Sequence, residues 1–215
     1  GKTAAYLLPI LDKISRQQKQ HTAALIVSPT RELALQIDHA FQGFSYFTDA
    51  SSIAVYGGGD GQTFDREKKA MTEGASVIIA TPGRLISHLN LGYVKLDQLD
   101  FLVLDEADKM LDMGFHEDIL KIIRFLPANR QNLLFSATMP PKIRELARKI
   151  SLFSLGNVIL LNMNAEICSS SGCRGFRSGV SVFADESHLT PSESRRLAPR
   201  YREAIDLALR MRTSE

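Results

Sequence analysis

The chain has 215 residues, of which 44% are hydrophobic, and a formal net charge of only +2. This apolar content is too high for a disordered chain, and it suffices for one domain of ordinary size or one domain with an appendage. A strongly basic protein is excluded, so a nucleic-acid ligand must be inferred from local motifs rather than from net charge.

The cysteines and the apolar runs indicate where the protein works. Cys168 and Cys173 are too few for the disulfide framework of a secreted domain. No apolar run reaches the roughly 18 residues that span a bilayer, and no signal peptide is recognisable at the start. We therefore expect a cytoplasmic protein without a membrane partner. The opening Gly1-Lys2-Thr3 lacks an initiating methionine and resembles the interior of a longer polypeptide.

Short apolar runs alternate along the chain with stretches of helical periodicity. The runs are continuously apolar, as in strands buried on both faces of a parallel sheet. The predicted strands span 23–28, 52–56, 76–80, 101–104, 132–135 and 157–161. The clearest predicted helices span 4–15, 32–44 and 117–125. This repetition predicts an α/β fold, with a doubly wound parallel sheet and helices on both faces.

Polar clusters follow four of the predicted strands. They are Pro29-Thr30-Arg31, Thr81-Pro82-Gly83-Arg84, Asp105-Glu106 and Ser136-Ala137-Thr138. Ligands of such sheets bind where loops leave the carboxyl ends of the strands. The four clusters should therefore converge on one edge of the sheet.

The composition changes near the end of the chain. Residues 164–215 contain eight arginines, no lysine and both cysteines. We predict one domain over 1–163 and an unassigned, divergent tail over 164–215, with one possible helix over 199–211. Its composition suggests a frameshifted, fused or misassembled end, or a lineage-specific tail.

The opening Gly1-Lys2-Thr3 matches the end of the phosphate-binding motif G-x-x-x-x-G-K-[ST]. In that motif the lysine reaches the outer phosphates and the hydroxyl ligates Mg²⁺. Three residues alone are weak evidence, but a helical pattern follows at once, as a phosphate-binding helix would.

An acidic cluster, Asp105-Glu106-Ala107-Asp108, follows the apolar strand over 101–104. A carboxylate at the end of a buried strand is costly unless it faces a site. There it can hold Mg²⁺, and a second carboxylate can orient the attacking water. The alternative is that these acids merely begin a helix, where negative charge is favoured.

Read together, six motifs occur in the order and spacing of DEAD-box RNA helicases. They are GKT, PTRELALQ, a glycine element, TPGR, DEAD and SAT, which begin at positions 1, 29, 57, 81, 105 and 136. The resemblance covers roughly residues 1 to 150 and extends to bacterial members of the family. It implies a RecA-like domain that binds ATP and Mg²⁺.

The resemblance also implies roles at the nucleotide. Gly1, Lys2 and Thr3 would bind ATP, and Thr3 and Asp105 would hold Mg²⁺. Glu106 would polarise the attacking water, so Glu106, Asp105 and Lys2 are the catalytic candidates. Asp108 would bond with Ser136 and Thr138 and link the nucleotide state to domain closure.

A second set of residues would hold the RNA sugar–phosphate backbone, which carries no sequence information. It comprises Pro29, Thr30, Arg31, Gly58, Thr81, Gly83 and Arg84. Arg31 could instead cap its helix or pair with an acid, Gly58 could be only a turn residue, and Arg84 could be a solvated charge. The cysteines and His188 match no strong zinc pattern, and His21, His39, His88 and His116 are expected at the surface.

The resemblance is incomplete at both ends of the chain. The adenine-recognising element, the first part of the phosphate loop and the strand before it are not in this sequence. That strand is normally central, so we expect unpaired backbone groups on its neighbours, with poor stability or weak nucleotide binding. The second RecA-like domain, which supplies arginine fingers, is not recognisable either.

Three functions remain open from sequence alone. The first is the ATP-binding half of an RNA helicase, active when joined to its second domain. The second is a fragment that binds RNA or a partner without turnover, and the third is a non-functional truncation product. A DNA-directed helicase fits the PTRELALQ and TPGR motifs less well. The RNA substrate, the cellular process and the oligomeric state cannot be inferred from these residues.

Overall fold

A computed structural model describes residues 2–17, 21–156 and 158–162, together with the backbone of four two-residue strands. The helices are α1 (Lys2–Gln17), α2 (Arg31–Ser45), α3 (Gly61–Glu73), α4 (Pro82–Asn90), α5 (Ala107–Asp112), α6 (His116–Ile123) and α7 (Pro141–Ser151). The main strands are β1 (Ala24–Val27), β2 (Ser52–Val55), β3 (Val77–Ala80), β4 (Phe101–Leu104), β5 (Gln131–Ser136) and β6 (Val158–Asn162).

The six main strands form one sheet in the order β2-β3-β1-β4-β5-β6. Each neighbouring pair is parallel; β1, for example, pairs Ala24 with Val77 on one side and with Phe101 on the other. The predicted parallel α/β sheet is confirmed. Because the strands are parallel, the polar residues that follow β1, β3, β4 and β5 lie along one edge of the sheet.

Alternate strand residues face opposite layers of helices. In β1, Ile26 lies in a core with residues of α1 and α2, such as Ile10 and Phe41. Its neighbours Leu25 and Val27 lie in a second core with residues of α3 to α7. This alternation explains why the strands are continuously apolar, and it confirms the doubly wound arrangement.

Several helices begin at residues whose capping geometry is clear. Thr30 accepts a 3.3 Å hydrogen bond from the Leu33 amide at the start of α2. Asp60 accepts a 2.9 Å bond from the Thr63 amide at the start of α3, which ends at Gly74 in the left-handed region (φ 87). These caps satisfy amide and carbonyl groups that a helix cannot pair internally.

The outer edge of β5 differs from the sequence-based expectation. We expected unpaired backbone groups where a central strand would normally lie. Instead the six described strands pair without a gap, and β6 pairs directly with β5 from Asn132↔Val158 to Ser136↔Asn162, so the expected unpaired groups do not occur inside the described sheet. The pairing satisfies the backbone donors and acceptors that a buried sheet must pair.

The tail contributes two short antiparallel pairs. The strands are β7 (Cys168–Ser169), β8 (Gly172–Cys173), β9 (Phe176–Arg177) and β10 (Val180–Ser181), paired β7 with β8 and β9 with β10. The predicted helix over 199–211 and His188 lie outside the described residues.

Candidate nucleotide and RNA site

The acidic cluster lies at the carboxyl end of β4, at the start of α5. Asp105 is fully buried, while Glu106 is half-buried. Glu106 has φ 51 and ψ 50 and is the one non-glycine residue with positive φ among the described residues. A non-glycine residue in this conformation carries strain of the kind that clusters at functional sites. The Glu106 carboxylate contacts Lys109 Nζ at 3.5 Å.

Tyr6 of α1 connects the start of the chain to this acidic pair. Its hydroxyl donates a 3.0 Å hydrogen bond to Asp105 Oδ2, and Asp105 Oδ1 accepts one of 2.9 Å from the Glu106 amide. Burial and the neighbouring Asp105 carboxylate raise the pKa of Tyr6 well above its ordinary value, although a side-chain hydrogen bond with Thr3 opposes this. Thr3 and Asp105 therefore both lie beside the Tyr6 hydroxyl.

Thr3 and Asp105 are the residues that the resemblance assigns to Mg²⁺. A hydroxyl and a carboxylate are the hard oxygen donors that Mg²⁺ prefers, and Tyr6 contacts both side chains. The donor set thus fits the ion. No cluster of three or more histidine, cysteine or acidic residues suited to a metal occurs in the described part of the chain. Lys2 is the first residue of α1, and Gly1 lies outside the described residues.

Asp108 joins α5 to the loop after β5. Its Oδ2 atom accepts a 2.9 Å hydrogen bond from the Thr138 amide and one of 2.8 Å from the Thr138 hydroxyl. Ser136 was expected to bond with Asp108. Its described hydrogen bond goes instead to the Thr138 carbonyl oxygen, to which the Ser136 hydroxyl donates at 2.7 Å. Ser136 therefore shapes the Thr138 turn, and Thr138 makes the described contact with Asp108.

The start of α2 lies beside the glycine element. The exposed Arg31 guanidinium stacks over the Tyr56 ring at 4.7 Å. Gly58 has φ 88, and a Cβ there would lie 4.0 Å from Arg31 Nη1. Pro29 is buried, and the hydroxyl of the next residue, Thr30, caps α2. The structure thus places Arg31 and Gly58 together, with Arg31 on an aromatic ring rather than on an acid.

The TPGR segment begins α4. Thr81 is the N-cap residue but makes no side-chain capping bond, and Pro82 occupies the first turn. A Cβ at Gly83 would meet nothing within 4 Å, so packing does not require glycine there. Amide groups at such a helix start favour bound anions, and the bare Gly83 leaves them open to approach.

Arg84 of the same segment is not a solvated charge. Its Nε donates to Glu67 Oε2 at 2.8 Å, and its guanidinium lies over the Phe64 ring at 4.5 Å. The side chain is only 16% exposed. Its Nη2 atom is buried and has no hydrogen-bond partner among the described residues.

Glu67 of α3 is a functional candidate that the sequence analysis missed. It is 1% exposed, and it accepts bonds from Arg84, from His88 Nε2 at 2.9 Å and from the Tyr56 amide at 3.3 Å. Burial raises the pKa of Glu67, but hydrogen bonds from His88 and Arg84 outweigh burial and leave it below the ordinary value. The sequence did contain a signal for the burial of Glu67, because its spacing puts it on one face of α3 with Phe64 and Met71.

The surface location expected for His88 is wrong. His88 is fully buried, stacks on Phe64 with ring centres 4.2 Å apart, and bonds to the Tyr93 hydroxyl through Nδ1. His39 is exposed, whereas His21 and His116 are half-buried. His88 follows Leu85 by three residues, so helical spacing already placed it on the apolar face of α4.

Residues 1–146 match the family model described as DEAD/DEAH box helicase. The chain belongs to this helicase family. The matched range includes the acidic pair at β4, the Asp108–Thr138 contact and the polar segments that follow β1 and β3.

Curated helicases of the family resemble the chain over about 150 residues. It is 45% identical over 149 residues to the "ATP-dependent RNA helicase CshA" of Listeria monocytogenes, covering 69% of this chain and 28% of that protein. It is 43% identical over 150 residues to the "ATP-dependent RNA helicase DeaD" of Escherichia coli, covering 69% and 23%. The chain thus spans between a fifth and a third of the length of these helicases.

A solved helicase structure is also similar. The yeast DEAD-box splicing factor Prp28 matches with a TM-score of 0.62 and 36% identity, covering 69% of this chain and 36% of that one. The likeness supports the RecA-like description of the six-stranded sheet. Within the described residues of this helicase domain, no helix is both long and apolar enough to cross a membrane.

Proposed function

We propose that this chain is the ATP-binding half of an ATP-dependent RNA helicase, and that it acts on short duplexes together with a second RecA-like domain. The observation that carries the proposal is the meeting of Thr3, Tyr6 and Asp105 beside the strained Glu106. It brings the end of the phosphate motif to the acidic pair. A cytoplasmic location belongs to this proposal, since ATP and RNA are both found there.

At the nucleotide, Gly1, Lys2 and Thr3 would bind the phosphates, with Lys2 on the outer ones. Thr3 and Asp105 would hold Mg²⁺, which neutralises charge on the phosphate oxygens when it is bound. Glu106 would orient and polarise the attacking water. The hydrogen bonds from Tyr6 and from the Glu106 amide fix both Asp105 oxygens, so the carboxylate need not reorganise when it is used.

At the RNA, several backbone-binding groups lie along the same sheet edge. Arg31 is exposed and aligned on Tyr56, and the glycine backbone at Gly58 and the α4 amides near Thr81 and Gly83 can approach phosphates closely. Pro29 and Thr30 would set the start of α2. Phosphate contacts of this kind give binding without sequence readout, which suits an enzyme that acts on many RNAs.

Between the two ligands, Asp108 and Thr138 would couple the nucleotide state to closure of the two domains. Their two hydrogen bonds fix the loop after β5 to the helix that follows the acidic pair. Ser136 supports this loop through the Thr138 carbonyl. The second domain would contribute arginine side chains, which in phosphoryl transfer supply on the order of 10³ to 10⁵ in rate.

The test is ATP hydrolysis by this chain with and without single-stranded RNA, beside a Glu106→Gln variant. RNA-stimulated hydrolysis that disappears in the variant is the expected result. Hydrolysis that survives Glu106→Gln would contradict the role of Glu106. RNA binding without any turnover would instead identify a binding module that needs its second domain for chemistry.

A further inference from the structure

One buried carboxylate joins three segments of the candidate RNA surface. Glu67 belongs to α3, and its Oε2 atom accepts from Arg84 Nε at 2.8 Å and bonds to His88 Nε2 at 2.9 Å, both on α4. Its Oε1 atom accepts from the Tyr56 amide at 3.3 Å, at the end of β2. A single side chain therefore fixes α4 and the start of the glycine element relative to each other.

The segments that Glu67 connects carry the groups expected to touch RNA. Tyr56 supports the exposed Arg31 guanidinium at 4.7 Å, and it immediately precedes the glycine element that contains Gly58. Arg84 belongs to the first turn of α4, whose amides follow Thr81. Displacing Tyr56 or α4 would therefore move these groups out of register with a sugar–phosphate chain.

The Arg84 guanidinium is held within this surface. Its Nε atom is used by Glu67, its flat face lies on Phe64, and its Nη2 atom is buried. Forked recognition of a phosphate needs two neighbouring N–H groups on one edge of the guanidinium. The Nε–Nη2 edge is not available while Arg84 holds Glu67, because Nε is bonded and Nη2 is buried.

We propose that Glu67 is a positioning residue of the RNA-binding surface, which acts by holding Tyr56 and Arg84 in place. The inference rests on the proposed function of this edge as an RNA site. Charge alone predicts the opposite behaviour, because removing an acid near bound phosphates should strengthen RNA binding. A loss of affinity on removing Glu67 therefore indicates positioning.

The experiment measures binding of a fluorescein-labelled single-stranded oligouridylate to the full chain by anisotropy. Glu67→Ala should raise the RNA dissociation constant by about fivefold or more, the scale of one lost charge-assisted hydrogen bond. Glu67→Gln keeps an acceptor of the same shape and should recover part of the loss. Affinity for a fluorescent ATP analogue should stay unchanged, and hydrogen exchange should accelerate at 52–59 but not in α1.

Glu73→Ala is the matched control, because it removes the same charge from an exposed position of the same helix. It should bind RNA as tightly as the parent chain or slightly more tightly. If Glu67→Ala behaves like Glu73→Ala, the inference is overturned. An equal loss of RNA and nucleotide affinity would also overturn it, since that result indicates a general structural role.

A further variant covers the case in which Glu67→Ala does not fold. Glu67→Ala with Arg84→Ala removes both charges, so no unpaired charge is left buried. Its RNA affinity is compared with that of Arg84→Ala alone, because only a further loss in the double variant can be assigned to Glu67. If the parent chain itself does not bind RNA, the proposed function fails, and hydrogen exchange at 52–59 still reports whether Glu67 holds that segment.

Discussion

The Tyr6 hydroxyl donates a 3.0 Å hydrogen bond to Asp105 Oδ2, and both side chains are fully buried. The bond joins the first helix to the end of a strand far along the chain. The Tyr6 ring also packs against Phe135, with ring centres 5.1 Å apart. The orientation of the Asp105 carboxylate, which we propose to hold Mg²⁺, and the packing of α1 on the sheet therefore depend on the same residue.

Tyr6→Phe should lower the free energy of unfolding by about 1.5–3 kcal/mol, as expected for a buried hydrogen bond to a charged group. The ring and its packing against Phe135 are retained, so the loss reports the hydroxyl. Urea unfolding followed by circular dichroism measures it. Tyr46→Phe removes a hydroxyl from an 80% exposed ring and should change stability little.

The same pair predicts a pH dependence in the alkaline range. The pKa of Tyr6 in the folded chain lies well above its ordinary value of 10.0, through burial and then Asp105. The unfolded chain releases this proton first, so the stabilisation is complete below about pH 10 and is lost as the pH rises further. The stability difference between parent and Tyr6→Phe should shrink above that pH. A constant difference would contradict the prediction.

Arg31→Ala should weaken binding of single-stranded RNA. It should also reduce the steepness of log affinity against log salt concentration by about the contribution of one phosphate contact. Its guanidinium is exposed and oriented by Tyr56, so little folding stability is at risk. Anisotropy titrations at several salt concentrations measure both effects. Arg16→Ala removes the same charge from an exposed pair with Asp12, and an equal change of slope there would refute a specific role for Arg31.

Asp60→Ala should lower the melting temperature at neutral pH, because Asp60 caps α3 through the Thr63 amide and hydroxyl. These hydrogen bonds hold the pKa of Asp60 below its ordinary value. The stabilisation is therefore present above the pKa that Asp60 has in the unfolded chain. It is lost as the pH falls through the lower pKa that Asp60 has in the folded chain. The melting curves of parent and variant should converge in acid, while Asp65→Ala, exposed on the same helix, should have little effect at either pH.

Glu106→Gly should keep or raise folding stability while removing the carboxylate that we propose polarises the attacking water. A non-glycine residue in the left-handed region costs roughly 1–2 kcal/mol, and glycine relieves this at an entropic cost of about 0.5–1 kcal/mol. Glu117→Gly, in ordinary helical backbone at the exposed start of α6, should instead lose about 1 kcal/mol. Equal destabilisation at both positions in urea melts would show that Glu106 is unstrained.

The sheet was predictable because its strands are buried on both faces. Residues such as Ile26 and Leu25 serve opposite cores, so the run is continuously apolar and bounded by polar residues. The strand order was not predictable, because parallel pairing depends on where the helices cross. Direct pairing of β5 with β6 was likewise invisible in the local sequence.

The motifs predicted the positions of the acidic pair and of the segments that we propose bind RNA. They did not predict the residues that keep these groups in place. Glu67 and His88 look like surface residues by type, and only their spacing against Met71 and Leu85 puts them on apolar faces. Tyr6 lies within the predicted helix over 4–15, and its spacing of three residues from Thr3 puts both on one face of α1. Residues that only hold other side chains in place leave weak signals in the sequence, because many residue types could fill such a position.

The position of β1 in the middle of the sheet has a consequence for synthesis. Ala24 needs Val77 on one side and Phe101 on the other, so the ladder of β1 cannot be completed from nascent chain that ends before β4. At about 5–20 residues per second, the ribosome leaves β1 with an open edge for roughly four to fifteen seconds. During that interval its four apolar residues form an unpaired edge of the kind that favours aggregation.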